Sequence, residues 1–309
     1  MDVLLLGGTS FVGRAIVEDL LAHGHTPTLF TRGVTGPELF PGVARLTGDR
    51  ESGDYASLEG TTWDAVVDVS AYLPRHVAQA SSALTQGRYL FISTGSVYDR
   101  GQAGDGMTED TARLEPYRDS EQITNDTYGR LKVACEDDLL ALHAEAATIV
   151  RPGIVAGPHD PTDRFTYWVR RAARGGRVAL PGRPEQPVQV VDSRDLARLT
   201  VALLDADQPG TYNAVGAAVA FAELVQTCAL GVSVEVVPVP PIEGFPLVLP
   251  DASWDVMFRR SAAAAHAAGM PQTPLATTAA DTLAWDLDRG SPPLAVELTP
   301  EREQELLAT

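Results

Sequence analysis

Apolar residues recur along the first half of the chain in two alternating rhythms. Continuous apolar runs over 3–6, 26–30, 44–46, 65–69, 89–92 and 147–150 read as buried strands. Between them, apolar positions at three- and four-residue steps predict helices over 11–23, 75–84 and 127–143. The first helix carries Val12, Ala15, Ile16, Leu20 and Leu21 as its apolar set. A polar stretch over 99–120 reads as a long loop. Strands alternating with helices predict parallel βαβ units with right-handed crossovers. The fold class is therefore α/β, a doubly wound parallel sheet with helices on both faces.

Beyond Pro152 the rhythm changes. A loop over 157–161 precedes a helix over 164–174. A strand over 188–191, a helix over 194–204 and a strand over 211–213 read as returning to the sheet. The proline-rich stretch 236–250 is an extended connector, because proline fixes φ and has no N–H to donate. Helices follow over 261–268 and 275–287, and 300–307 reads as a charged surface helix. The expected division is a first domain over 1–155, rejoined by 186–215. A smaller, discontinuous α/β domain comes from 156–185 and 216–309.

Gly7-Gly8-Thr9-Ser10-Phe11-Val12-Gly13 follows the first strand and opens the first helix, the setting that a dinucleotide-binding turn requires. Backbone N–H groups over Gly7, Thr9, Ser10, Phe11 and Val12 can face a pyrophosphate there, supported by the helix dipole. Gly13 allows close packing on the first strand. Ser10 stands where the repeating spacing would put another glycine, and its side chain crowds the phosphate. The second strand ends at Arg32 where an acidic residue would hydrogen-bond a ribose 2′-hydroxyl. Arginine pairs instead with a 2′-phosphate, so NADP(H) is expected in preference to NAD(H). The plainer reading of Arg32 is a solvated surface cation. Asp49 and Arg50 close the third strand, where a carboxylate can reach the adenine amino group; Asp49 fits a turn cap equally well. Ser70, just after the fourth strand, is placed with the same cofactor.

Composition sharpens the chemical end. The chain of 309 residues has 24 basic and 41 acidic residues, a formal charge of −17 that disfavours nucleic acid and anionic membranes as partners. Of the basic residues, 23 are arginine and one, Lys132, is lysine. That lysine falls four residues after Tyr128, so both project from one face of the third helix. A phenol titrates near pH 10 in isolation; an adjacent ammonium favours its phenolate and brings it into catalytic range. The segment Ser93-Thr94-Gly95-Ser96-Val97-Tyr98, directly after the strand over 89–92, supplies a partner hydroxyl. An exposed helical pair is the plainer reading of Tyr128 and Lys132.

These residues together resemble the extended short-chain dehydrogenase/reductases, often labelled the NAD-dependent epimerase/dehydratase family. The resemblance rests on Gly7–Gly13, Ser93-Thr94 before Val97-Tyr98, Tyr128–Lys132 and Arg151-Pro152-Gly153 before Gly157-Pro158. It continues through Val190–Ala197 and Gly210-Thr211-Tyr212-Asn213, covering at least residues 2–216. It implies a Rossmann sheet with Tyr128 as general acid/base and Thr94 orienting the substrate oxygen. Lys132 would bind the nicotinamide ribose and depress the Tyr128 pKa. The backbone around Pro152, Gly153 and Ile154 would face the nicotinamide. A homodimer through the helices over 75–84 and 127–143 is a further implication.

Departures from the family pattern narrow the chemistry. Gly95-Ser96 replaces the Asp-Glu pair of sugar-nucleotide dehydratases, and Ile154 replaces an asparagine that holds substrate phosphates in many epimerases. The leading expectation is an NADP-dependent reductase or dehydrogenase acting on a secondary alcohol or ketone of a small metabolite. A redox-neutral epimerase of a sugar or sugar nucleotide is the alternative. A non-catalytic nucleotide-sensing or RNA-associated role on the same fold is the reading from another class. Substrate contacts are expected at Ser96, His159 and Arg164, although His159 and Asp160 also suit a turn-stabilising pair. Trp254 and Trp285 read as core anchors, and Cys135 as a small buried residue. The six histidines show no ligand spacing, so no metal is expected. With two cysteines, no signal-like N-terminus and no long apolar run, a cytoplasmic location is expected.

Overall fold

The computed structural model describes residues 1–308. It begins β1 (Asp2–Leu6), α1 (Phe11–Ala22), β2 (Thr26–Thr31), β3 (Ala44–Thr47), β4 (Thr61–Asp68), α2 (Pro74–Ala83) and β5 (Leu84–Ile92). After a long loop come α3 (Tyr128–His143), β6 (Ala147–Pro152), β7 (Ile154–Ala156), α4 (Thr166–Ala172), β8 (Gly176–Leu180) and β9 (Pro187–Asp192). The remainder is α5 (Ser193–Asp205), β10 (Gly210–Ala214), β11 (Ala218–Ala220), α6 (Phe221–Cys228), β12 (Val234–Pro238), α7 (Ala263–Ala267), α8 (Leu275–Asp288) and α9 (Pro300–Leu307).

Two units emerge. The first comprises Met1–Gly153, Arg194–Ala214 and Ser261–Pro271. Its seven strands lie in the order β10-β6-β5-β4-β1-β2-β3, every pair parallel. Val3–Leu6 has no solvent exposure, which is why β1 is apolar at every position: helices cover both faces of a parallel sheet. The chain builds outward from β1 to β3, then returns to add β4 on the other side. That reversal opens a crevice beyond the carboxyl ends of β1 and β4, the place where doubly wound sheets bind ligands.

The second unit comprises Ile154–Ser193, Val215–Arg260 and Gln272–Thr309. It holds a three-stranded sheet in the order β11-β9-β7 and a parallel pair, β12 with β8. Its core gathers Phe165, Trp168, Val188, Phe221 and Phe245, and the Trp168 indole N–H donates to the Pro246 carbonyl at 3.0 Å.

Three expectations are corrected here. The strand over 188–191 does not return to the large sheet; as β9 it pairs with β7 in parallel and β11 antiparallel, because Val188 and Val190 pack into the second core. Residues 261–271 join the first unit, where the Ser261 N–H donates to the Met107 carbonyl at 2.8 Å. Helix α9 is not wholly a surface helix. Its Glu303 is buried, taking both carboxylate oxygens to Arg171 Nε at 2.6 and 2.7 Å, and Leu306 packs against Ala179 and Val239. Among the described residues no helix is long and apolar enough to cross a membrane.

Candidate active site

At the crevice, β1 runs into the glycine turn and α1. Gly7 adopts φ +119°, closed to side-chain-bearing residues without strain, and its N–H donates to the Phe30 carbonyl at 3.0 Å. A Cβ on Gly13 would lie 2.8 Å from the Gly8 backbone nitrogen, so at this point the helix packs directly on the turn. Ser10 is the N-cap of α1 in extended conformation and makes no side-chain cap. The first N–H groups of α1 thus lack a side-chain acceptor and suit an anion. This turn fits the pyrophosphate of a dinucleotide.

Arg32 follows β2, exposed, with no hydrogen-bond or ion-pair partner among the described residues. Asp49 caps a turn, one carboxylate oxygen accepting the Glu51 N–H at 3.0 Å. Arg50, expected beside the cofactor, is committed within the protein. All five of its N–H donors are engaged inside the protein. Two go to Asp68 at 2.6 and 2.8 Å, and the others to Ser70 Oγ, the His76 carbonyl and Tyr55 Oη. The Tyr89 hydroxyl adds a 2.8 Å bond to Asp68. Burial alone would raise the Asp68 carboxyl pKa; Arg50 outweighs it and holds the group below the usual carboxylate range. Arg50 therefore ties the end of β3 to the end of β4, with no donor left for a cofactor. The Ser70 hydroxyl donates to the Leu6 carbonyl at 2.9 Å and braces the end of β4 against β1.

The chemical residues lie on α3 and the segment after β5, and the structure brings them together. Thr94 caps a short turn over Gly95–Val97, accepting the Ser96 N–H at 3.2 Å and donating to Ser96 Oγ at 3.3 Å. Helix α3 closes on this turn through Gly129, whose Cβ would overlap the Ser96 carbonyl oxygen. Half-buried Tyr128 thus starts the helix beside the Thr94 turn.

Lys132 lies one turn further on and is 3% exposed. Its Nζ donates to the carbonyls of Ala71 and Ile92, both at 2.8 Å, and sits 4.0 Å from the Phe91 ring centroid. Two of its three ammonium protons are thereby placed. Burial pushes its pKa down to about 8. Cys135 is buried too, which pushes its thiol up to about 12 and leaves it inert.

Sequence reasoning missed Tyr72. Its ring is 43% exposed, with its centroid 6.3 Å from that of Tyr128 and 5.5 Å from Lys132 Nζ. It forms an aromatic wall beside the phenol, and no spacing relates it to Tyr128 in the chain.

The remaining expected contacts lie as follows. Pro152 ends β6 opposite Ala214, and Ile154 opens β7 in the second unit opposite Val190. His159 takes φ +70° and meets Trp285 edge-on at 5.4 Å. Asp160 caps the next turn, Oδ1 accepting from the Thr162 N–H and hydroxyl at 2.8 and 2.7 Å. Arg164 is exposed and donates to Thr162 Oγ1 at 3.2 Å. Trp254 and Trp285 are not core anchors: the first is 37% exposed, the second half-buried under Arg289 at 4.0 Å.

The model of the NAD dependent epimerase/dehydratase family matches residues 59–215, just over half of the chain. The chain belongs to this family. Its curated relatives include the chloroplast stem-loop binding protein of 41 kDa b from Arabidopsis thaliana, 24% identical over 74% of this chain and 62% of the relative. Another is the 2-alkyl-3-oxoalkanoate reductase of Stenotrophomonas maltophilia, 28% identical over 64% of each chain. The chain thus spans under two thirds of the length of both relatives. Among solved structures, UDP-glucuronic acid 4-epimerase from Bacillus cereus in complex with NAD superposes with a TM-score of 0.70. That match is 17% identical, covers 94% of this chain and 98% of the epimerase, and speaks for the fold.

Proposed function

We propose that the chain is an NADP(H)-dependent oxidoreductase acting on a secondary alcohol or ketone of a small metabolite. The observation that supports this reading is the packing of α3 on the Thr94 turn, with Gly129 against the Ser96 carbonyl and Lys132 Nζ bonded to the Ile92 carbonyl at the end of β5. A bound nicotinamide supplies the hydride acceptor or donor. Thr94 and Tyr128 hold the substrate oxygen by hydrogen bonds. In reduction the Tyr128 hydroxyl gives that oxygen its proton; in oxidation the phenolate takes it. The Lys132 ammonium favours the phenolate, and its third proton is free for a ribose hydroxyl. Tyr72 supplies an apolar wall on the substrate side. The glycine turn holds the pyrophosphate, and Arg32 pairs with the 2′-phosphate.

The test is consumption of NADPH across a panel of small ketones. Activity is expected in the wild type and absent in Tyr128→Phe, with NADPH affinity retained. Persistent turnover in the variant refutes the assignment.

A redox-neutral epimerase is the second reading, favoured by the fold match to a sugar-nucleotide epimerase. It calls for cofactor that copurifies and shows no net consumption. The stem-loop binding relative suggests RNA, but a net charge of −17 argues against it.

A further inference from the structure

The turn that carries Thr94 is held at both ends by one buried ion pair that the chemistry above does not use. Glu136 follows Lys132 by one turn and Tyr128 by two, so the three form a stripe along α3. Glu136 has no solvent exposure, and its carboxylate accepts four hydrogen bonds. Oε1 takes the Ser93 hydroxyl at 2.6 Å and Arg151 Nε at 3.0 Å; Oε2 takes Arg151 Nη2 at 2.7 Å and Arg113 Nη1 at 2.9 Å. Four directed bonds use the whole acceptor capacity of a carboxylate.

Ser93 is the residue before Thr94, and its N–H is bonded to the Val150 carbonyl at 2.7 Å. Lys132 holds the carbonyl of Ile92, one residue earlier. Successive turns of α3 therefore grip successive residues at the end of β5, with Thr94 next in line. The other end of the turn is Tyr98, and the same Arg151 reaches it: Nη1 donates to Tyr98 Oη at 3.0 Å, and Tyr98 donates to Asn213 Oδ1 at 2.6 Å. Nonpolar packing could fill this volume, but it would not fix the register of three elements through directed bonds.

We propose that Glu136, acting through Ser93 and Arg151, is a positioning residue that sets the Thr94 turn against the helix carrying Tyr128. The proposal rests on the oxidoreductase reading, in which Thr94 holds the substrate oxygen.

Ser93→Ala removes one rung and leaves the Glu136 ion pairs intact, so the variant should fold; Ser93→Thr restores the hydroxyl. Hydrogen–deuterium exchange reads the clamp without any substrate. In Ser93→Ala, exchange over residues 93–98 is expected to speed up roughly fivefold, with residues 128–136 and the Kd for NADPH within about twofold of wild type. On a ketone that the wild type reduces, kcat is expected to fall about tenfold with KM nearly constant. Ser93→Thr restores both. Unchanged exchange over 93–98 overturns the clamp. Faster exchange with wild-type kcat, or a loss of kcat that tracks lost stability and is not rescued by threonine, overturns the positioning role. Absence of any NADPH turnover in the wild type counts against the oxidoreductase reading alone, because the exchange result decides the clamp by itself.

Discussion

Gly129 touches Ser96: a methyl group at position 129 would overlap the Ser96 carbonyl oxygen. The contact lies between the residue after Tyr128 and the turn that Thr94 caps, so it sets how near the two hydroxyls stand. Gly129→Ala should cost about 1–3 kcal/mol of stability by overpacking. It should also lower turnover by about a hundredfold, more than the stability loss explains, because misplacement of a hydroxyl is felt steeply in catalysis. Urea unfolding alongside steady-state kinetics checks both. Wild-type kinetics in the alanine variant would show that the contact is incidental.

Asp68 and Arg50 form the other buried connection, and it is expected to matter for stability. Asp68→Asn leaves the Arg50 guanidinium buried without its counter-charge, at a cost of about 3–5 kcal/mol. The pH dependence follows from the same pair. The Asp68 pKa in the folded state is lowered below 3.8, so its contribution is fully present above about pH 4 and is lost as pH falls through the folded value. Thermal melts of wild type and variant between pH 2 and 7 should show a constant gap above about pH 4 that narrows below it. A constant gap across that range would contradict the assignment.

Lys132 carries the opposite sign. Burial lowers its pKa from 10.5 to about 8, so near neutral pH the folded protein bears the cost of a buried ammonium. Between those values the unfolded chain binds a proton that the folded chain does not, and stability rises with pH. Relative to Lys132→Met, the wild type should gain about 3 kcal/mol as pH increases across that window. Denaturant titrations at its two ends measure the gain. A difference independent of pH would mean that Lys132 is not desolvated.

How far these features were legible in the chain depends on how far apart their partners lie. The strands of the first unit announce themselves as apolar runs because both faces of a parallel sheet are covered. The three- to five-residue strands β7, β8 and β11 carry too little pattern to separate from loop. Tyr128 and Lys132 stand out in the chain because they share a helix face, and the hydroxyl-bearing segment after β5 because it follows a strand. Arg50 was misread because, among 23 arginines, nothing local marks one whose partner is Asp68, 18 residues away. Glu136 sits at a visible spacing from Lys132, but its meaning depends on Ser93 and Arg151, which other elements deliver. Trp254 and Trp285 show that a large apolar side chain does not by itself locate a core.

In the proposed reaction Arg32 decides cofactor preference. Its guanidinium is exposed and uncommitted at the end of β2. Arg32→Ala should weaken NADPH binding by about 1.5–3 kcal/mol, the worth of a charge-assisted hydrogen bond, and leave NADH nearly unaffected. Isothermal titration with both cofactors provides the comparison. Equal losses for the two would remove the 2′-phosphate from the account.

In the proposed reaction Tyr128 and Thr94 handle the proton and the oxygen while hydride passes between cofactor and substrate. NADPH labelled with deuterium at the transferable C4 position tests it most directly, with the product examined by mass spectrometry. One deuterium is expected in the product for each NADPH consumed, with no transfer in Tyr128→Phe despite retained NADPH binding. Product formed without label, or label transferred equally well by Tyr128→Phe, would contradict it.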